Sequence, residues 1–156
     1  MDRFTCLGSV LTYDGDAEAE VNCRVGKAGS VFQRMRPIWT SSTISSSTKT
    51  WLYSAIVVSI VTYACETWKM TARIAQKLNV FHQRCLRKIL QVTYKDHITN
   101  EEILRRTCSR KLADIVTEHR FRMAGHVLRL PAGERSNNVD SSRWRTKKRT
   151  PKDDMA

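Results

Sequence analysis

The side chains that could do acid–base, nucleophilic or metal chemistry are sparse in this sequence. His82 and Cys85 are three positions apart and could share one face of a helix, and the further candidates are His97, Cys108, His119 and His126. A zinc knuckle needs four ligands arranged as two tight pairs, and His82 with Cys85 is the only tight pair. We therefore predict no metal site.

The acidic residues do not form a catalytic pair either. Asp14 and Asp16 flank Gly15 in a turn signal, where such carboxylates usually cap the next helix. The other close pair of aspartates is Asp153 with Asp154. The sequence contains no glycine-rich phosphate loop, GxSxG nucleophile turn or HExxH metal motif. We predict that the chain has no catalytic residue and is not an enzyme on its own.

Basic residues, in contrast, are abundant and segregated from the acidic ones. The chain has 27 Lys and Arg against 15 Asp and Glu, a net charge of +12, and between Val21 and Lys95 the only acidic residue is Glu66. A solvated surface usually mixes charges of both signs. The segregation favours a face that binds phosphate, because polyanions are the usual partners of such chains. A merely solubilising surface is the alternative.

The cysteines and the hydropathy of the sequence indicate the cellular compartment of the protein. The five cysteines form no CxxC pair, which favours free thiols in a reducing environment. The first residues lack a signal-peptide pattern. The most apolar run, residues 51–65, is shorter than the ~20 residues that span a bilayer. We predict a nuclear or cytoplasmic protein without a membrane partner.

Helices must position most of these side chains, because apolar residues recur at steps of three and four. Such a stripe predicts a helix over residues 17–39, ended or kinked by Pro37. Residues 48–63 are apolar nearly all round, as in a central core helix. A third helix runs from a Thr71 cap to about Gln91 with its basic residues opposite the apolar stripe. Trp39, Trp51 and Trp68 fall in these apolar patterns, which favours core packing over stacking on bases.

Shorter signals complete the prediction. Residues 3–13 (RFTCLGSVLTY) are typical of a short strand pair. Thr99 and Glu102 form a capping-box pattern that starts a helix, and a last helix covers about 111–130 before Pro131. Residues 136–156 are poor in apolar side chains, which predicts a disordered basic tail that could bind nucleic acid or act as a nuclear import signal.

Five segments occur in order between about residues 3 and 130, and each is similar to a known sequence motif. The N-terminal FTCLGS with Asp14-Gly15 is similar to an FxYLGS…DG segment. STKTWLYSAIVVSIVTYACETW resembles the stretch "TK…LY…v…llYG.E.W". KLNVFHQRCLRKIL resembles "kl..F..rcLR.Il", DHITNEEILRR resembles "d.iTNeel..r", and HRFRMAGHVLRL resembles "RRlrw.GHv.Rm". Together, in this order, they resemble the non-LTR (LINE-type) reverse transcriptases, and RTE-like elements most closely.

The resemblance implies the part of an RNA-directed DNA polymerase that follows the palm. Leu7 and Gly8 would belong to the primer grip and approach the primer end. The catalytic aspartates of the palm would lie before Met1, so the chain would be a fragment. The complete parent polymerase would need Mg²⁺, whereas this chain needs no cofactor. The implied divisions are a primer-grip-like hairpin at 1–15, a thumb-like helical region at 16–95, a C-terminal helical region at 96–131 and a basic disordered tail at 132–156.

The predicted fold class is therefore mainly α: a short N-terminal β-hairpin followed by a thumb-like helical bundle and a disordered tail. The predicted partners are RNA and DNA as an RNA–DNA duplex, together with the missing palm region. The residues predicted to bind nucleic acid are Arg24, Lys27, Arg73, Lys77, Arg84, Arg87 and Lys88 in the helices and Arg143, Arg145, Lys147, Lys148 and Arg149 in the tail.

Two alternatives to this function stay open. One is a non-enzymatic helical interaction module whose basic helix docks on an acidic protein or an anionic membrane. The other is a non-functional product of a truncated element.

Overall fold

The computed structural model describes the backbone of residues 3–6, 9–12 and 17–129, and the side chains of 17–129 except that of Tyr94. Two units divide the chain, residues 1–122 and residues 123–156. Seven α-helices are described, namely α1 (Ala17–Arg34), α2 (Arg36–Thr40), α3 (Ser46–Leu52), α4 (Ser59–Thr62), α5 (Ala72–Ile89), α6 (Asn100–Arg106) and α7 (Leu112–Arg129). A π-helical stretch, Tyr53–Val58, joins α3 to α4, and 3₁₀ turns cover Cys65–Thr67 and Tyr94–Asp96.

The predicted fold class has to be corrected at its N-terminal part. Across residues 17–129, 79% of the residues are helical and no strand occurs. The two four-residue strands described before that range, Arg3–Cys6 and Ser9–Thr12, pair antiparallel only with each other among the described residues. An isolated two-stranded pair is marginal in water, so it does not define an architecture. The class is mainly α, without a hairpin as one of its defining parts.

Helix α1 ends earlier than its apolar stripe suggested. The predicted helix over 17–39 is divided after Arg34, and Pro37 lies in the first turn of α2. Proline has no amide hydrogen to donate and its ring crowds the preceding turn, so it is tolerated at the start of a helix but not inside one. Trp39 folds back across the break. Its indole Nε1 donates to the Phe32 carbonyl at 2.8 Å, and the two rings stack with centroids 5.1 Å apart.

The central helix, residues 46–62, consists of α3, the π-helical stretch and α4. Ser45 caps it by accepting a hydrogen bond from the Thr48 amide at 3.2 Å. Lys49 is buried, yet its ammonium donates to the carbonyls of Trp39 at 3.0 Å and Ser41 at 2.6 Å. A cation at these carbonyls satisfies the end of α2 and its negative dipole. Lys49 therefore belongs to the fold and not to an exposed basic surface.

Helix α5 packs one face into the hydrophobic core. Its buried side chains include Ile74, Leu78, Leu86 and Ile89, and α5 contacts α1, α2, α3 and α6. His82 lies among them with 2% of its surface exposed. The Oη of Tyr53 and the Nδ1 of His82 are 2.8 Å apart and share a hydrogen bond. Burial lowers the pKa of His82 to about 4, so the imidazole is neutral at physiological pH.

This buried imidazole predicts a specific loss of stability in mild acid. The pKa of His82 is about 4 in the folded chain against 6.5 in the unfolded chain, so protons favour unfolding below pH 6.5. The His82 contribution is fully present above pH 6.5, declines as the pH falls, and is exhausted near pH 4. The free energy of unfolding should fall by up to about 3 kcal/mol over that interval.

Chemical denaturation of the wild type, His82→Gln and His126→Gln across pH 4 to 7 measures this loss. His82→Gln should flatten the profile between pH 6.5 and 4, because glutamine can accept from Tyr53 but does not titrate. His126 is exposed, so His126→Gln should keep the wild-type slope. A wild-type slope in His82→Gln would contradict the assignment.

Candidate nucleic-acid interface

The outer face of α5 carries a row of five basic side chains, which we call the basic strip: Arg73, Lys77, Arg84, Arg87 and Lys88. Thr71 fixes the start of the helix by accepting from the Ile74 amide at 3.3 Å. At 3.6 residues per turn the five positions fall within an arc of about 100° and a length of about 22 Å. No acidic residue occurs in α5. The structure therefore brings the five predicted residues together on one side.

The first two members of the strip are partly neutralised by α1. Glu18 Oε1 lies 2.9 Å from Lys77 Nζ and 3.3 Å from Arg73 Nε. Lys77 Nζ also donates to Asn22 Oδ1 at 2.7 Å. The hydrogen bond from Lys77 is the main cause that lowers the pKa of the Glu18 carboxyl, and the charge of Arg73 acts in the same direction. One carboxylate thus holds two cations of the strip.

The last three members of the strip differ in how free their charged groups are to bind phosphate. Arg84 and Lys88 are exposed, and no carboxylate pairs with either of them within residues 17–129. Arg87 Nη2 donates to the Ile98 carbonyl at 2.7 Å and to Asn100 Oδ1 at 3.0 Å. Arg87 therefore ties α5 to the segment before α6, while Arg84 and Lys88 are the freest cations.

A groove of about 690 Å³ lies beside the strip, and α5 and α6 supply most of its lining. Its lining residues are three cations, one acid, four amides and two apolar side chains: Arg84, Arg87, Lys111, Glu101, Gln76, Asn79, Gln83, Asn100, Val80 and Leu104. The Oε1 atom of Gln83 is buried without a hydrogen-bond partner among the described residues. Cations at a groove with many amides suit a sugar–phosphate chain, whose oxygens accept and whose hydroxyls donate.

Two residues of the predicted set do not belong to this surface. Arg24 is 7% exposed, and its guanidinium carbon lies 4.5 Å from the centroid of the Tyr63 ring. The cation is enclosed and stacked on an aromatic face, which keeps it away from the surface that carries the basic strip. Lys27 is exposed but lies nine residues after Glu18, which puts it on the opposite side of α1 from the side that contacts α5.

The other predicted site residues lie outside the described part of the chain. These are the primer-grip pair Leu7 and Gly8 and the tail residues Arg143, Arg145, Lys147, Lys148 and Arg149.

One of the tryptophans departs from its prediction. Trp39 and Trp68 are buried as expected, but Trp51 is 67% exposed. Trp51 lines a second hollow of about 460 Å³, which Arg106 and Arg110 also line. The apolar run around Trp51 gave no signal that its indole would face solvent. Both arginines are paired, Arg106 with Glu102 and Arg110 with Glu118, so this hollow carries less free positive charge than the basic strip.

Within the described residues, no helix combines the length and the apolarity that a bilayer span requires. No protein-family model, curated protein or solved structure matches the chain. The resemblance to non-LTR reverse transcriptases therefore stays a prediction carried by the sequence segments quoted above.

One of those segments has the helix start that its sequence predicts. Thr99 Oγ1 accepts from the Glu102 amide at 3.3 Å and caps α6. The reciprocal half of the capping box is not formed with the Glu102 carboxylate, which instead binds Arg105 and Arg106 at 2.7 to 2.8 Å.

Because Glu18 pairs with Arg73 and Lys77, we predict that removing the charge of Glu18 will strengthen polyanion binding. Glu18→Gln should release Arg73 and Lys77 to bind phosphate. The affinity for a nucleic-acid duplex should rise severalfold at low salt. The slope of the logarithm of the binding constant against the logarithm of the salt concentration should become more negative by up to about 1.8. Fluorescence anisotropy with a labelled duplex, repeated over a range of salt concentrations, measures both quantities.

Glu118→Gln is the matched control, because Glu118 likewise holds two arginines, Arg110 and Arg122, on a different helix. It makes the same change in net charge. If both variants strengthen binding equally, total charge and not the basic strip governs the interaction.

Proposed function

We propose that this chain grips the sugar–phosphate backbone of a nucleic-acid duplex through the basic strip of α5, without reading base sequence. We further propose that it does so as the template- and primer-holding region of a non-LTR reverse transcriptase, with an RNA–DNA hybrid as the duplex. The observation that carries the proposal is the outer face of α5, where five cations occur without an acid and only two are held by a carboxylate.

The shape and charge of this surface suit backbone binding. A strip about 22 Å long runs past several successive phosphates, because a duplex carries one charge per about 1.7 Å of its axis. Arg84 and Lys88 supply point contacts to phosphate, and the amides of the neighbouring groove can bond to sugar hydroxyls. Contacts of this kind position a duplex without selecting its sequence, which is what a polymerase that copies any template requires.

The conformation of Ala64 supports the proposed parentage. Ala64 follows the central helix with φ of 59°, in the left-handed region that favours glycine. In the motif "llYG.E.W" that residues 63–68 resemble, the position of Ala64 is occupied by glycine. The φ angle at Ala64 favours glycine at the position where the motif has glycine. This agreement is independent of the side-chain pattern that carries the resemblance.

The binding proposal is tested by removing the freest cations of the strip. The double variant Arg84→Gln/Lys88→Gln should bind an RNA–DNA hybrid about tenfold more weakly at low salt. Its plot of log binding constant against log salt concentration should be less steep by about 1.8. The matched control is Lys27→Gln/Arg34→Gln, which removes the same charge from the opposite side of α1, where both residues are exposed. It should leave the affinity within about twofold and the slope nearly unchanged.

Two outcomes would contradict the proposal. One is that the wild type does not bind the hybrid at low salt, and the other is that both double variants weaken binding equally. A parallel titration with anionic and neutral lipid vesicles distinguishes the docking alternative. Binding to anionic vesicles without binding to nucleic acid would favour a membrane-docking module.

The glycine-favouring turn gives a separate prediction about stability. Ala64→Gly should raise the free energy of unfolding by roughly 0.5 to 1 kcal/mol, because relief of the left-handed strain exceeds the entropy that glycine adds to the unfolded chain. Ala75→Gly, at the fourth residue of α5, is the control and should lower stability by roughly 0.5 to 1 kcal/mol. If Ala64→Gly also destabilises, the turn is not strained at this position.

A further inference from the structure

Three side chains with metal-binding atoms meet where the end of the central helix approaches the middle of α7. Cys65 Sγ lies 3.7 Å from His119 Nδ1, and Glu66 Oε1 lies 3.9 Å from the same nitrogen. The three ligand atoms all lie within 4.8 Å of one another. Cys65 and Glu66 are separated from His119 by more than 50 residues, so their spacing in the sequence did not indicate this cluster.

The elements that hold the cluster are well anchored. Cys65 and Glu66 start the 3₁₀ turn Cys65–Thr67, which Ala64 redirects through its left-handed conformation. Cys65 is fully buried, and Val116, nearly one turn before His119 on α7, is fully buried as well. The side chains of Glu66 and His119 are about one-third exposed, at 36% and 33%. The cluster therefore has a closed sulfur side and an open side that solvent can reach.

A nucleophilic triad does not fit this geometry. In a thiol–imidazole–carboxylate relay the thiol contacts one ring nitrogen and the acid contacts the other. Here the sulfur and the carboxylate both lie nearest to Nδ1. Burial, with a smaller effect of Glu66, raises the pKa of the Cys65 thiol to about 12, and full burial keeps a substrate from its sulfur. Atoms that converge on one point are instead what a bound cation requires.

We propose that Cys65, Glu66 and His119 bind one Zn²⁺ ion, with water as the fourth ligand on the open side. Tetrahedral zinc with bonds of about 2.3 Å to sulfur and about 2.0 Å to nitrogen and oxygen sets sulfur and nitrogen about 3.5 Å apart, and nitrogen and oxygen about 3.3 Å apart. The separations of 3.7 and 3.9 Å exceed these values by about 0.2 and about 0.6 Å, so a small side-chain rotation would bring the atoms to zinc-binding distances. Thiolate, imidazole and carboxylate are the ligand types that zinc takes from proteins.

The charges also balance. A thiolate and a carboxylate together offset the two positive charges of the ion, and loss of the thiol proton accompanies binding. The ion would join the turn after the central helix to α7, whose buried side chains Leu112, Ala113 and Val116 all lie in its first half. Binding would therefore stabilise the docked position of that helix.

Metal titration of the purified chain tests the proposal. In competition with a chromophoric chelator, the wild type should bind one Zn²⁺ per chain. Co²⁺ substituted for zinc should give a sulfur-to-cobalt charge-transfer band and the visible absorption of a tetrahedral site. His119→Gln and Glu66→Gln, which change side chains that are not fully buried, should each weaken zinc binding by more than tenfold. Cys65→Ser should abolish the charge-transfer band.

The control Cys108→Ser/His126→Gln removes an exposed thiol and an exposed imidazole outside the cluster and should bind zinc like the wild type. Circular dichroism should show the same helical content for His119→Gln, Glu66→Gln and the wild type, so their result stands even if Cys65→Ser unfolds. No stoichiometric zinc binding by the wild type, unchanged affinity in His119→Gln, or a cobalt spectrum without the sulfur band would each overturn the proposal.

Discussion

Burial of the inner face of α5 is the packing on which the rest of the structure depends. Leu78, Leu86 and Ile89 of this face are almost completely enclosed by the core. A helix that buries one face must turn the opposite face outward, so the core contacts decide where the basic strip points. The neutral His82, held by Tyr53 within this face, keeps a polar group in the core at the cost of sensitivity to acid.

Charge is distributed so that the outward face of α5 remains positive. The described carboxylates that pair with Lys and Arg are Glu18 at the start of the strip, Glu102 with two arginines of α6, and Glu118 with Arg122 of α7 and with Arg110 just before that helix. Arg84 and Lys88 keep their charge free among the described residues. Repulsion between such cations costs stability in the compact chain, and a polyanion relieves it. A bound polyanion would therefore stabilise the compact chain.

The turn after the central helix carries two separate observations. Its left-handed Ala64 lies where the motif that residues 63–68 resemble carries glycine, and the same turn presents Cys65 and Glu66 to His119. The proposed metal site does not depend on the proposed nucleic-acid interface, because the two surfaces share no residue. A chain that binds zinc but no duplex, or a duplex but no zinc, is physically possible, and each property stands on its own contacts.

The sequence by itself determined the helices, their caps at Thr71 and Thr99, and the single-sided row of cations on α5, because apolar periodicity and capping chemistry are local. The N-terminal hairpin expected as a defining part of the fold class was corrected, since two four-residue strands that pair only with each other among the described residues do not define an architecture. Only the tertiary structure decided that Arg24 is enclosed by Tyr63, that Glu18 holds Arg73 and Lys77, and that Cys65 meets His119. These outcomes depend on which helix faces pack together, and residues far apart in the chain carry no spacing signal for that.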